Sequence, residues 1–225
     1  MSRIKLAWKP VHIEEKLEVL LKAIEKERDE TQANKTRLHT KMDRWREQLK
    51  EVQTGLEYIN RNLIPKLERI LSIKIKNVEL MQVAMFQPST KNLFLELETH
   101  YKNEVNNPLG NHDFPDLIAL SEIAQVIALL GDAAIDMGVL YQLWRPDPSD
   151  VGHITQEKSE IVSNEHMADL CDQWKLYEHR IHFDPEVPSK AEIEHDKGTL
   201  VETIFGIIQM EHGFSKVIDN IKHLL

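Results

Sequence analysis

Between Pro10 and Gly55 the chain contains neither proline nor glycine, and the stretch is rich in Glu, Lys, Arg, Gln and Leu. These residues favour helix, and a run this long without a breaker leaves little else for it to form. From Leu38 onward the apolar positions are Leu38, Met42, Trp45, Leu49, Val52, Leu56, Ile59 and Leu63, with alternating spacings of four and three. That is the seam of a coiled coil. An earlier stripe, Ile13, Leu17, Leu20 and Ile24, has the same spacing but is out of phase, and the interval from Glu27 to Arg37 is polar but for Ala33. A hairpin turning near Ala33-Asn34-Lys35 satisfies this pattern, and so does one continuous helix with a heptad discontinuity. The lack of turn residues favours the continuous helix. From Val11 to Ile64 it would run about 80 Å at ~1.5 Å per residue and would need a partner helix, most simply from a second chain. Pro65 is expected to kink or end it.

Charge divides the chain at about the same place. Residues 1–76 carry 18 Lys and Arg against 12 Asp and Glu, whereas the rest carries 10 against 25, within an overall charge of -9. A basic arm (1–76) is therefore expected in front of an acidic body (77–225). The body would repel a polyanion unless cations or a separate basic surface compensated. The densest positive stretch is Lys35, Arg37, Lys41, Arg44, Arg46 and Lys50. It is a candidate RNA-binding surface, with a solvated helix flank as the competing reading. No apolar run is seen to approach a bilayer-spanning length, and the N-terminus lacks the apolar stretch of a signal peptide. A cytoplasmic protein with no membrane partner is the expectation. Cys171 has no cysteine to pair with and sits in a helical pattern, which points to a buried structural thiol.

The body reads as further helices parted by turn clusters at 103–116, 145–150 and 182–190, with no convincing alternating strand. Leu117 to Trp144 is apolar enough to be a helix buried nearly all round, and Lys197 to His212 is a second. All-α is thus the expected fold class. Trp45, Trp144 and Trp174 read as packing residues, and His179 with His182 as surface histidines lacking a third metal ligand.

Four stretches of the body carry chemistry-bearing residues in a fixed order. They are Met81 to Ser89, ending an apolar-x-x-Ala-apolar stretch in serine; Ala128-Leu129-Leu130-Gly131-Asp132-Ala133; Ile154-Thr155-x-x-Lys158-x-x-Ile161-Val162-Ser163-x-x-x-Met167-Ala168; and Gly198-Thr199-x-x-Glu202 with Gly213 beyond it. Taken together they resemble the catalytic domain of the ribonuclease III family over about residues 77–225, with an insertion near Thr90 to Leu120. The small residue Ala128 in the second motif is similar to the mini form of that family, whose members lack a separate double-stranded-RNA-binding domain.

The resemblance implies an all-helical, homodimeric endonuclease that binds Mg²⁺ (or Mn²⁺) through carboxylates and cuts double-stranded or structured RNA. Hard divalent cations suit such a cluster because they prefer oxygen ligands. Carried over by position, Asp132 and Glu202 are the expected catalytic and metal-binding residues. Ala128 and Thr199 stand where most members have Glu and Asp, so half of the carboxylate set is absent. Asp136, one turn beyond Asp132, with Lys158 and Thr199, are expected supporting residues, and Asp196 and Glu194 precede the last motif. The same two departures leave open an inactive RNA-binding or scaffolding member of the fold.

Overall fold

A computed structural model of the chain describes residues 8–102, 107–110, 114–144, 151–183 and 188–225. Among them the structure is helical throughout, with one isolated parallel bridge between Phe86 and Ile181, in agreement with the all-α expectation. The turn cluster at 145–150 lies outside the described residues, as do parts of those at 103–116 and 182–190.

The N-terminal arm is a hairpin. Helix α1 (Ile13–Glu30) and α2 (Thr36–Tyr58) are separated at Thr31–Lys35, which corrects the preference for one continuous helix. Local turn chemistry was the weaker signal, because a chain can break a helix without Gly or Pro where tertiary burial compensates. Here Ile13, Leu17, Leu20 and Ile24 are fully buried, as are Met42, Trp45, Leu49 and Val52. Each such side chain contributes about 1.5–3 kcal/mol on burial, and folding the two out-of-phase stripes onto one core captures all of it within one chain. Near the turn, Arg28 Nε donates to Asp43 at 2.6 Å, clamping the two helices.

Beyond α2 the helix passes through one π turn, Ile59–Leu63, into α3 (Ile64–Leu71). Pro65 lacks the N–H that a regular helix would supply there, and the widened turn absorbs the irregularity. Asn60 in this turn, the buried Gln82 and the exposed Glu14 form a polar network at the edge of the core.

Helix α4 (Val78–Ala84) begins the body, and α5 (Lys91–Tyr101) and the short α6 (Phe114–Ile118) form the insertion. The insertion is what the hairpin packs on. Trp45 Nε1 donates to Glu96, His100 pairs with Glu27, and Lys16 reaches Asp116. At the other end, the Glu79 carboxylate accepts from the backbone N–H groups of Val11, His12 and Ile13, capping α1 from the body. Buried residues from Val11 to Leu224 form one contiguous cluster.

The rest of the body is built around α7 (Leu120–Leu143) and α10 (Lys190–His212), flanked by α8 (Val151–Ile161), α9 (Asn164–Trp174) and α11 (Phe214–Ile221). Ser189 opens α10 with a reciprocal capping box to Glu192, and Gly213 ends it at φ 80°. Cys171 is buried, and burial pushes its thiol up to about 12, which makes it the inert structural thiol that was expected.

Helix α7 departs from two expectations. By length and composition it is apolar enough to cross a membrane, and it is not buried all round. Val126, Leu129, Met137, Leu140, Tyr141 and Trp144 lie exposed along one side. Trp144, expected to be core, is 73% exposed, whereas Trp45 and Trp174 are buried as expected.

Candidate active site

The crossing of α7 and α10 is made by two glycines. A Cβ on Gly131 would lie 1.7 Å from the Glu202 carbonyl oxygen, and one on Gly206 would lie 2.2 Å from the Ile127 carbonyl oxygen. Both distances are far inside van der Waals contact, so the two backbones touch where only glycine fits. The residue after Gly131 is Asp132, and the residue under it on α10 is Glu202. Close approach of the helices therefore sets these two carboxylates at one cavity, of about 380 Å³, whose wall also includes Ala128, Thr199, Asp196 and Gln87.

Their electrostatics follow from that placement. Burial, followed by the nearby charges of Asp132 and Asp136, pushes Glu202 up to about 7. Asp132 is also raised, by desolvation and then by Asp136, with Lys158 opposing. Two desolvated acids on one cavity, each raised further by a neighbouring carboxylate, are a set that a cation would relieve. Asp136 is engaged differently, accepting from Lys158 Nζ at 2.5 Å. The structure thus brings Lys158 to the acidic site through Asp136, on α8, the helix that carried the third motif. Thr199 accepts at its backbone oxygen from Thr203, and its side chain faces the cavity that Asp132 and Glu202 share.

The first motif supplies the opposite wall. After α4 the chain runs extended, Gln87 N donates to Ile181 O at 3.0 Å, and Ser89 Oγ accepts from Phe183 N at 2.9 Å. Ser163 of the third motif is the N-cap of α9, accepting from His166 N. Asp196 lies 3.8 Å from Arg180, and Glu194 pairs with Lys190.

The basic stretch of the arm is spread along the start and middle of α2, away from this cavity. Lys41 and Arg44 face Glu96, Arg46 faces Asp43 and Lys50 faces Glu25, while Lys35 and Arg37 stand exposed near the turn. Four of its six cations therefore face acids within the chain, with Glu96 shared by two of them. His179 is buried, 8% exposed, rather than at the surface. Its neighbour in pattern, His182, lines the same second cavity, described below. Sequence spacing gave no sign of either placement, since both depend on the loop docking on α2.

Among the described residues no group of three or more His, Cys, Asp or Glu is arranged as a complete metal cluster. Asp132 and Glu202 nevertheless fit a hard divalent cation of the Mg²⁺ type, which commonly takes only one or two protein carboxylates and keeps water or substrate oxygens in its other positions.

No curated protein matches the chain. The family model for the ribonuclease III domain matches residues 125–213, a span that includes Gly131, Asp132, Lys158 and Glu202. That family consists of endoribonucleases of structured RNA, and its helical fold agrees with the architecture above. The chain carries a ribonuclease III family catalytic domain.

Proposed function

We propose that this chain is a divalent-metal-dependent endoribonuclease hydrolysing phosphodiesters of double-stranded or structured RNA as a homodimer. The observation that carries the reading is the meeting of Asp132 and Glu202 at one cavity through the Gly131 and Gly206 contact. Asp132 and Glu202 would hold Mg²⁺ (or Mn²⁺), with the Thr199 hydroxyl placed to orient a water. When bound, such an ion supplies a water of lowered pKa and neutralises charge developing on the phosphate. Lys158 holds Asp136 by an ion pair, which keeps a positive charge beside the acids and limits their mutual repulsion. Glu202 must lose its proton before it can serve as a ligand, so the site is fully charged only above about pH 7.

The exposed apolar side of α7 supports the second copy. Met137, Leu140, Tyr141 and Trp144 line a groove of about 410 Å³, one helical turn and more from Asp132. A self-complementary contact along this helix would bring two sites to one face. In this reading residues 77–225 form the catalytic unit and residues 1–76 a buttress for its insertion.

Cleavage of a duplex RNA with and without Mg²⁺ tests the proposal. Asp132→Asn and Glu202→Gln should each lose about a hundredfold or more, given several kcal/mol of charge stabilisation at tenfold per ~1.4 kcal/mol. Robust metal-dependent cleavage by Asp132→Asn would overturn the assignment. Failure of the wild type to bind Mg²⁺ or Mn²⁺ at this site would favour the inactive scaffold instead.

A further inference from the structure

A second cavity, of about 490 Å³, lies where the loop after α9 docks on α2. The endonuclease reading makes no use of it. Glu51, Thr54, Tyr58, Glu178, His179 and His182 are among the residues that line it. Its wall is aromatic. The Tyr58 ring lies 5.1 Å from the His179 ring at an interplanar angle of 32°, and Tyr58 is 53% exposed.

His179 behind it is buried, and its Nδ1 has no hydrogen-bond partner. Burial pushes this imidazole down, so it is neutral at physiological pH and backs the tyrosine as a second flat ring. Tyr58 is thus a half-exposed aromatic ring at the cavity, tilted against a buried imidazole. Two carboxylates, Glu51 and Glu178, line the same space. They offer acceptors to N–H donors, and Arg180 lines the cavity beside them. Glu51 and Glu178 with the two histidines do not make a metal group, since none is arranged among the described residues. A flat heteroaromatic ring bearing N–H groups is the ligand that meets both demands, and a nucleobase is such a ring.

The cavity adjoins the carboxylate site. Ile181, one of its lining residues, donates from its N–H to Met85 O at 2.8 Å and accepts from Gln87 N at 3.0 Å. Phe86, Gln87 and Pro88 line the carboxylate cavity on the other side of this strip. Arg180, in the second cavity, lies 3.8 Å from Asp196 in the first.

Resting on the endoribonuclease reading, we propose that this second cavity receives an unpaired nucleobase flanking the duplex at the carboxylate site and stacks it on Tyr58. Stacking on a single aromatic ring changes affinity on the order of tenfold. The test uses the full chain in metal-free buffer. Its probes are a blunt RNA duplex and the same duplex carrying a short single-stranded extension with 2-aminopurine at its first unpaired position. The wild type should bind the extended duplex about tenfold more tightly and quench the 2-aminopurine. Tyr58→Ala should remove both effects and leave blunt-duplex binding unchanged, and Tyr58→Trp should retain them. Equal binding of the two duplexes by the wild type, or extension-dependent binding that survives Tyr58→Ala, overturns the nucleobase site while leaving the endonuclease reading intact. Absence of binding to either RNA, at any metal concentration, overturns both.

Discussion

Gly131 carries more of the site than either acid, because it decides whether the acids meet. An added methyl would sit 1.7 Å from a backbone oxygen of α10, which cannot rotate away as a side chain would. Gly131→Ala should therefore cost more than about 3 kcal/mol, beyond ordinary overpacking, and thermal or urea unfolding would measure it. An undiminished melting temperature would mean that the helices are farther apart.

Glu202 makes a separate prediction about pH. Its folded value near 7 lies above the ordinary 4.5, so the folded protein binds the extra proton more tightly than the unfolded chain does. The stability it contributes is complete below about pH 4.5 and is lost as pH rises to about 7. The metal-free wild type should lose more melting temperature between pH 5 and 8 than Glu202→Gln does. Parallel curves for the two proteins would show that Glu202 is not held near Asp132. At Thr199, where the resemblance implies an acid in most members, Thr199→Asp should tighten Mn²⁺ binding about tenfold or more, since ligand charge sets divalent affinity. Titration of the purified protein would read it directly, and unchanged affinity would place position 199 outside the site.

Asp132 and Glu202 were singled out through the family resemblance that the four ordered motifs carry, and the structure places both at one cavity. Lys158 was legible as a residue but not as the partner of Asp136. Asp196 was marked by its place just before the last motif, whereas the role of Gln87 in the cavity wall and the burial of His179 had no local signal.

Among the elements, the arm shows how a correct pattern led to an incorrect shape. All twelve apolar positions of the two out-of-phase stripes read as buried seams, and eleven of them are buried, with Leu38 partly so. What the spacing could not say was which surface would cover them. The insertion, poor in recognisable pattern, supplies that surface through α5 and α6, and Glu79 ties the open end of α1 to the body. Leu49→Ala should lower stability by about 2–5 kcal/mol, the usual cost of a core truncation, without altering the sedimentation coefficient. A shift to a smaller species would instead reveal an intermolecular coiled coil. Helix α7 shows the reverse case. Its composition suggested burial on all sides, yet one side remains open because α4, α8, α10 and α11 do not encircle it.

For the molecule as a whole, that open side is where a second copy is expected. Met137→Lys combined with Tyr141→Lys, both on the exposed side of α7, should convert a dimer to monomer at micromolar concentration while changing the melting temperature of the monomer little. Persistence of the dimer in sedimentation would move the interface elsewhere. The sequence by itself determined the helical class and the order of the four motifs, which are written in local spacing and residue type; Asp132, Glu202 and the departures at Ala128 and Thr199 came from the family resemblance those motifs carry. Only the tertiary structure decided that the arm folds back, that the insertion is its partner, and that Glu202 is desolvated beside Asp132. Each of these depends on which surfaces meet, and burial, which settles that, is a property of the whole chain rather than of any segment.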